Sequence, residues 1–107
     1  MNEYQEEARK TAIYPKGMAI TYPMLGLAGE VGELANCIKK IHRDHEGSLE
    51  RSGYKEKLKD ELGDVCWYVA NLAFDLGLDL DEILADNLKK LKGRQKQGTL
   101  QGDGDKR

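Results

Sequence analysis

The sequence predicts an all-α protein, a bundle of two long central helices flanked by two shorter ones, and three observations carry that expectation. Apolar residues recur at spacings of four and three along residues 27–41, 58–76 and 84–91, which places them on one helix face. No segment alternates apolar and polar residues with the period of two that marks a strand. Residues that start or stop helices, Pro23, Gly77, Asp79 and Gly93, stand at the ends of the periodic runs.

The first helix is expected from a cap at Asn2, with Gln5 reaching back to it, to about Ala12. Residues 13–22, "IYPKGMAITY", hold Pro15 and Gly17 and read as a connection, after which Pro23 opens the second helix. That helix runs to about Arg43 with the stripe Leu27, Val31, Leu34, Ile38 and Ile41. Residues 44–53, "DHEGSLERSG", are polar and read as a surface loop between antiparallel neighbours. The third helix spans about Tyr54 to Leu76 on Leu58, Leu62, Val65, Val69, Leu72 and Leu76, and Gly77 ends it. Asp79 and Glu82 form a capping box for a fourth helix carrying Leu84, Leu88 and Leu91, which stops near Gly93. This divides the chain into a folded domain, residues 1–94, and a tail, residues 95–107, with too little apolar surface to order itself.

A chain of 107 residues makes one domain with a modest core. A formal charge of −2 gives no reason to expect a nucleic-acid polymer as partner, and one Trp, five Tyr and one Phe make a poor stacking platform for single strands. No apolar run approaches the roughly 18 residues of a membrane span. The charged start "MNEYQEEARK" does not resemble a signal peptide, so a cytoplasmic protein is expected. Cys37 and Cys66 lack the spacing or companion histidines of a zinc site and read as reduced thiols packed near the core. His42 and His45 are expected to face solvent, and neither follows a glutamate by three residues, which disfavours a di-iron bundle.

Chemistry is expected one position before the apolar stripes, where polar residues run along the flank of each helix. These are Glu30 and Glu33 on the second helix, Glu61, Asp64, Tyr68 and Asn71 on the third, and Asn87, Lys90 and Arg94 on the fourth. Antiparallel packing of the second and third helices brings Glu30, Glu33, Glu61 and Asp64 together. Four carboxylates cannot all stay ionised there unless a cation neutralises them. Oxygen-only ligands suit Mg²⁺ or Mn²⁺, and Asn87, Lys90 and Arg94 supply donors for an anion bound to that metal. Either acidic pair alone is common on solvated helix faces; their shared offset from the stripes is the signal. Around the first pair, Gly26, Gly29 and Gly32 recur in "GLAGEVGELA", each costing a helix about 1 kcal/mol relative to alanine. Glycine leaves space beside the glutamates for a helix or ligand to approach.

The motif Gly29-Glu30-Val31-Gly32-Glu33-Leu34, followed by Asp60-Glu61-Leu62-Gly63-Asp64-Val65 and by Asn87-x-x-Lys90-x-x-x-Arg94, resembles the MazG-like nucleoside triphosphate pyrophosphohydrolases. The resemblance covers about residues 20–94. It implies a four-helix MazG-like bundle completed by oligomerisation, as a homodimer or homotetramer whose subunits complete one another's sites. It also implies Mg²⁺-dependent hydrolysis of a (d)NTP to (d)NMP and pyrophosphate, with Glu30, Glu33, Glu61 and Asp64 on the metal and Lys57, Lys90 and Arg94 on the phosphates. Glu33 is the carboxylate expected to orient the attacking water. For the base, Trp67 and Tyr68 are the leading candidates, with Tyr14 and Tyr22 also able to stack. Cleansing of the nucleotide pool is the expected role. A narrow dUTP, dCTP or phosphoribosyl-ATP pyrophosphohydrolase and a non-catalytic helical nucleotide-binding or regulatory module are the alternatives.

Overall fold

In the computed structural model, which describes residues 2–96, the architecture is all-α. The helices are α1 (Glu3–Lys10), α2 (Thr21–His45), α3 (Leu49–Ser52), α4 (Lys55–Asp75) and α5 (Leu80–Lys96), with a 3₁₀ turn at Lys16–Met18. Helices α2 and α4 are the two long central elements, and their mutual packing is the most extensive in the molecule. Helix α1 lies on α4, and α3 bridges the α2–α4 connection.

Local chemistry accounts for most of the boundaries. Asn2 caps α1, its Oδ1 accepting from the Gln5 amide at 2.7 Å. The Gln5 side chain does not reach back to the cap. It is fully buried instead, donating to the carbonyls of Ala70 and Leu78 and accepting from the Leu80 amide, so it ties α1 to α4, to the α4–α5 connection and to the start of α5. Helix α2 starts at Thr21 rather than Pro23, which is tolerated because amides in the first turn have no partner within the helix. The expected loop 44–53 holds a short helix, capped by Ser48 and closed by Gly53 at φ 71°. At the end of α4, Leu78 N–H bonds Ala73 C=O and Gly77 N–H bonds Phe74 C=O, with Gly77 at φ 74°, the Schellman arrangement expected of that glycine. Helix α5 passes through Gly93 to Lys96, so Gln95 and Lys96 are helical, and the rest of the expected tail lies outside the described residues.

The connection before α2 is more ordered than its composition promised. Asp75, its side chain 2% exposed, accepts from Arg9, from the Tyr14 hydroxyl and from the Ile20 amide at 2.7–3.0 Å. Ile20 sits at φ 68°, ψ −54°, with Thr21 N–H bonded to Ala19 C=O, a γ-turn of the rarer, strained hand. Asp75 thereby holds a β-branched residue in a conformation it rarely adopts and fixes where α2 begins.

The buried core is small: Ala8, Ala70 and Leu80, with Trp67 and Val69 against them, where α1 meets α4 and the start of α5. Only part of each expected stripe is covered. Ile41 is buried and Leu27, Leu34, Leu58, Val65 and Leu72 are half-buried, whereas Val31, Ile38, Leu62, Leu84 and Leu88 expose 48–57% of their surface. Cys37 is buried as expected; Cys66, expected near the core, is exposed instead, in a groove it lines with Tyr4 and Leu84. His42 is exposed, but His45 is half-buried with its ring edge-on to Tyr54. No described helix is long and apolar enough to cross a membrane.

Candidate metal and nucleotide site

The antiparallel packing of α2 on α4 assembles the site, because it sets residues near 30 on one helix against residues near 61 on the other. Glu30, Glu33 and Glu61 each offer a carboxylate oxygen within 4.8 Å of the other two. The Oε2 atoms of Glu30 and Glu61 are shielded from solvent and have no hydrogen-bond partner. A buried acceptor without a donor is costly, and a cation is the partner that satisfies two such oxygens together. Glu33 is the exposed member.

The electrostatics describe the same crowding. The Glu33 carboxyl is held above its ordinary range because its protonated form can hydrogen-bond with Glu61 and because of that group's charge, with Lys57 opposing. Glu61 is raised as well, first because its protonated form can hydrogen-bond with Glu30 and then by desolvation, while a proton shared from Glu33 acts the other way. Asp64 adds negative charge to both but stands outside the three-carboxylate group. Without a cation, protons are what relieve the repulsion. The donor set, carboxylate oxygens alone, fits a hard divalent ion.

The other expected site residues divide. Lys57 is close enough for its charge to act on Glu33. Tyr68 lies beside the cluster, its hydroxyl pushed up by burial and then by Tyr22, Glu30 and Asp64. Trp67 is engaged elsewhere: its indole N–H donates to Thr11 Oγ1 at 2.7 Å and its ring packs on the α1–α4 core. Asn71 is buried, donating to the Trp67 carbonyl. Asn87 and Lys90 are exposed and Arg94 is half-buried on α5, which packs on α4 and has no comparable packing with α2. None of the groups acting most on Glu33 and Glu61 is on α5.

Beside Glu33 opens a cleft of about 270 Å³ lined by Glu33, Asn36, Cys37, Lys40, Tyr54 and Lys57. Asn36, Lys40 and Tyr54 were not singled out from the sequence. The available signal was spacing, since Asn36 and Lys40 continue the face of Glu33 by three and then four residues.

The glycines differ from one another. A Cβ at Gly26 would overlap the Tyr68 ring, whereas a Cβ at Gly29 or Gly32 would meet nothing within 4 Å. Within one chain, close approach of a neighbour therefore explains Gly26 but not Gly29 or Gly32.

Fold and site together describe a helical protein with an oxygen-rich cluster, suited to a hard divalent cation, on the seam between its two longest helices. Residues 21–99 match the family model of the MazG nucleotide pyrophosphohydrolase domain. The Gene 37 protein of Mycobacterium phage L5 is 44% identical over 110 residues, covering 97% of this chain and 96% of that relative. No solved structure matches significantly. The chain belongs to the MazG nucleotide pyrophosphohydrolase family, whose members are generally metal-dependent.

Proposed function

We propose that this protein is a Mg²⁺-dependent nucleoside triphosphate pyrophosphohydrolase, converting (d)NTP and water to (d)NMP and pyrophosphate in nucleotide-pool cleansing. The observation that carries the reading is the convergence of Glu30, Glu33 and Glu61 with two shielded, unpartnered oxygens, in a chain of this family. Glu30 and Glu61 would hold the cation from the shielded side, with Asp64 beside them. Mg²⁺ would supply charge neutralisation on the phosphates and activation of water. Glu33, the exposed carboxylate, would orient that water and accept its proton. Lys57 would stabilise negative charge growing on the departing pyrophosphate.

The uncovered apolar residues of α2 and α5 support a homo-oligomer, dimer or tetramer. In such an assembly Asn87, Lys90 and Arg94 of one subunit would contact phosphates held by the carboxylates of another.

The test is incubation with Mg²⁺ and a panel of triphosphates, with products separated. Monophosphate plus pyrophosphate from several bases is expected, and Glu61→Gln should abolish turnover and weaken Mg²⁺ binding. One productive base would narrow the substrate to a specialised pyrophosphohydrolase. Diphosphate plus free phosphate would refute cleavage at the α–β bond. No turnover, with Mg²⁺ binding indifferent to Glu61→Gln, would refute the enzymatic reading.

A further inference from the structure

One face of α2 carries Tyr22, Gly26, Gly29, Glu33, Asn36 and Lys40, at spacings of four, three, four, three and four. The two ends of this face differ in chemistry. At the start, Tyr22 stacks on Tyr14 with centroids 4.8 Å apart and planes 14° apart. Tyr14 is itself fixed by Arg9 and by Asp75, so the pair is rigid before any ligand arrives. Tyr22 keeps 42% of its surface exposed, and the Tyr68 hydroxyl interacts electrostatically with both Tyr22 and Glu30. At the other end is the cleft with Lys40, Lys57, Asn36 and Tyr54.

Every polar group on the wall of that cleft beyond Glu33 has an N–H or O–H it can donate to an anion. The ammonium groups of Lys40 and Lys57, the Asn36 amide and the Tyr54 hydroxyl make no hydrogen bond or ion pair among the described residues. Asp44, on which the charge of Lys40 acts, is already held by both Nε and Nη2 of Arg43 at 2.8 Å. Long side chains on a helix lean toward its N-terminus, which aims Lys40 back at Glu33. The Tyr54 ring is held edge-on to His45 at 5.8 Å. A volume of about 270 Å³ falls below the roughly 300–1,000 Å³ of sites that enclose a whole small molecule, so the cleft takes one end of a ligand and not all of it.

We infer that this cleft receives the pyrophosphate end of the substrate through Lys40, Asn36 and Tyr54 beside Lys57, so that the nucleotide lies along α2 with its base toward the Tyr14–Tyr22 stack. The inference rests on the reading of the protein as a triphosphate pyrophosphohydrolase and adds to it a direction and four residues, Tyr22, Asn36, Lys40 and Tyr54. Water adds to the α phosphorus, the α–β bridging bond breaks, and the bridging oxygen leaves with the pyrophosphate into the cleft. The carboxylates sit between the two ends, where that bond must lie. Gly26 lets the Tyr68 ring close against α2 between Tyr22 and Glu33, and the surface of α2 at Gly29 is open beside that ring.

The two products report the two ends separately. With Mg²⁺ present, calorimetry on the full chain measures pyrophosphate and deoxynucleoside monophosphate binding for wild type, Lys40→Ala, Lys40→Arg, Tyr54→Phe and Tyr22→Ala. Lys40→Ala is expected to weaken pyrophosphate binding by about tenfold and Tyr54→Phe by less, with monophosphate binding unchanged and Lys40→Arg restoring most of the loss. Tyr22→Ala is expected to do the reverse, weakening the monophosphate by about tenfold and sparing pyrophosphate. Circular dichroism on each variant separates loss of binding from loss of fold. The inference is overturned if Lys40→Ala spares pyrophosphate, if it weakens both products alike, or if Tyr22→Ala weakens pyrophosphate. If wild type turns over triphosphates but these patterns fail, only the orientation is wrong. If it binds neither product and turns over nothing, the functional reading falls and the orientation falls with it.

Discussion

The glycines around the glutamates show how little a residue type says until its surroundings are known. Gly26, Gly29 and Gly32 have equal helix costs, yet only Gly26 has a side chain pressed against it. Gly26→Ala should destabilise the protein by about 1 kcal/mol or more, because the Tyr68 ring must move and overpacking outweighs the gain in propensity. Gly29→Ala should instead stabilise it by up to about 1 kcal/mol, since the added methyl enters open space. Urea titration of the three proteins reads the difference in sign. A larger side chain at Gly29 would block the ligand face, so Gly29→Leu should weaken nucleotide binding. Gly32 points instead toward Leu25, Ala28 and Ala35 on the outer surface. Ile20 and Asp75 make the same point: nothing in "GMAITY" marks Ile20 for positive φ, because the carboxylate that holds its amide lies 55 residues away.

At the scale of elements, α5 is the least supported helix. Leu80 is buried and anchored through Gln5, but positions 81–90 are all exposed, including Leu84 and Leu88. An isolated helix of this length is marginal in water without an apolar face to pack. If a second copy covers α5, as proposed, Leu84→Glu with Leu88→Glu should shift the protein toward monomer in sedimentation equilibrium. Turnover should fall with the oligomer, since Lys90 and Arg94 travel with the helix. Unchanged mass in that variant would assign α5 another role. Spacing in the sequence identified every long helix, because the four-three pattern is local. The short helix at Leu49–Ser52 escaped, since four residues are too few to show a period, and α5 ran on through Gly93 because one glycine lowers propensity without ending a helix.

For the molecule as a whole, the described helices share one small core, where α1 meets α4 and the start of α5. A protomer with so small a core has little stability in reserve, and the crowded carboxylates draw on it. The sign follows from the direction of the shifts. Glu33 and Glu61 hold their protons more tightly in the folded state than the ordinary value of 4.5. Their favourable contribution is therefore complete below that value and is lost as pH rises through the raised folded values. Metal-free protein should melt at lower temperature as pH is raised from the ordinary carboxylate range toward neutrality. Mg²⁺ should restore the loss at neutral pH and do little in acid, where protons occupy the site. Differential scanning fluorimetry across pH, with and without Mg²⁺, checks this. Glu61→Gln should flatten both dependences.

The sequence by itself determined the all-α class, the order of the long helices and the family, because helical period is set by local spacing; of the four carboxylates it brought together, the packing of α2 on α4 gathers Glu30, Glu33 and Glu61 and leaves Asp64 outside the group. Tertiary structure decided what depends on groups distant in sequence. It turned Trp67 onto α1, buried Gln5, left part of each stripe in solvent, and separated Gly26, which meets Tyr68, from Gly29 and Gly32, which meet nothing. A stripe says which residues share a face; only packing says what that face meets, and that is set by the shape and charge of partners elsewhere in the chain.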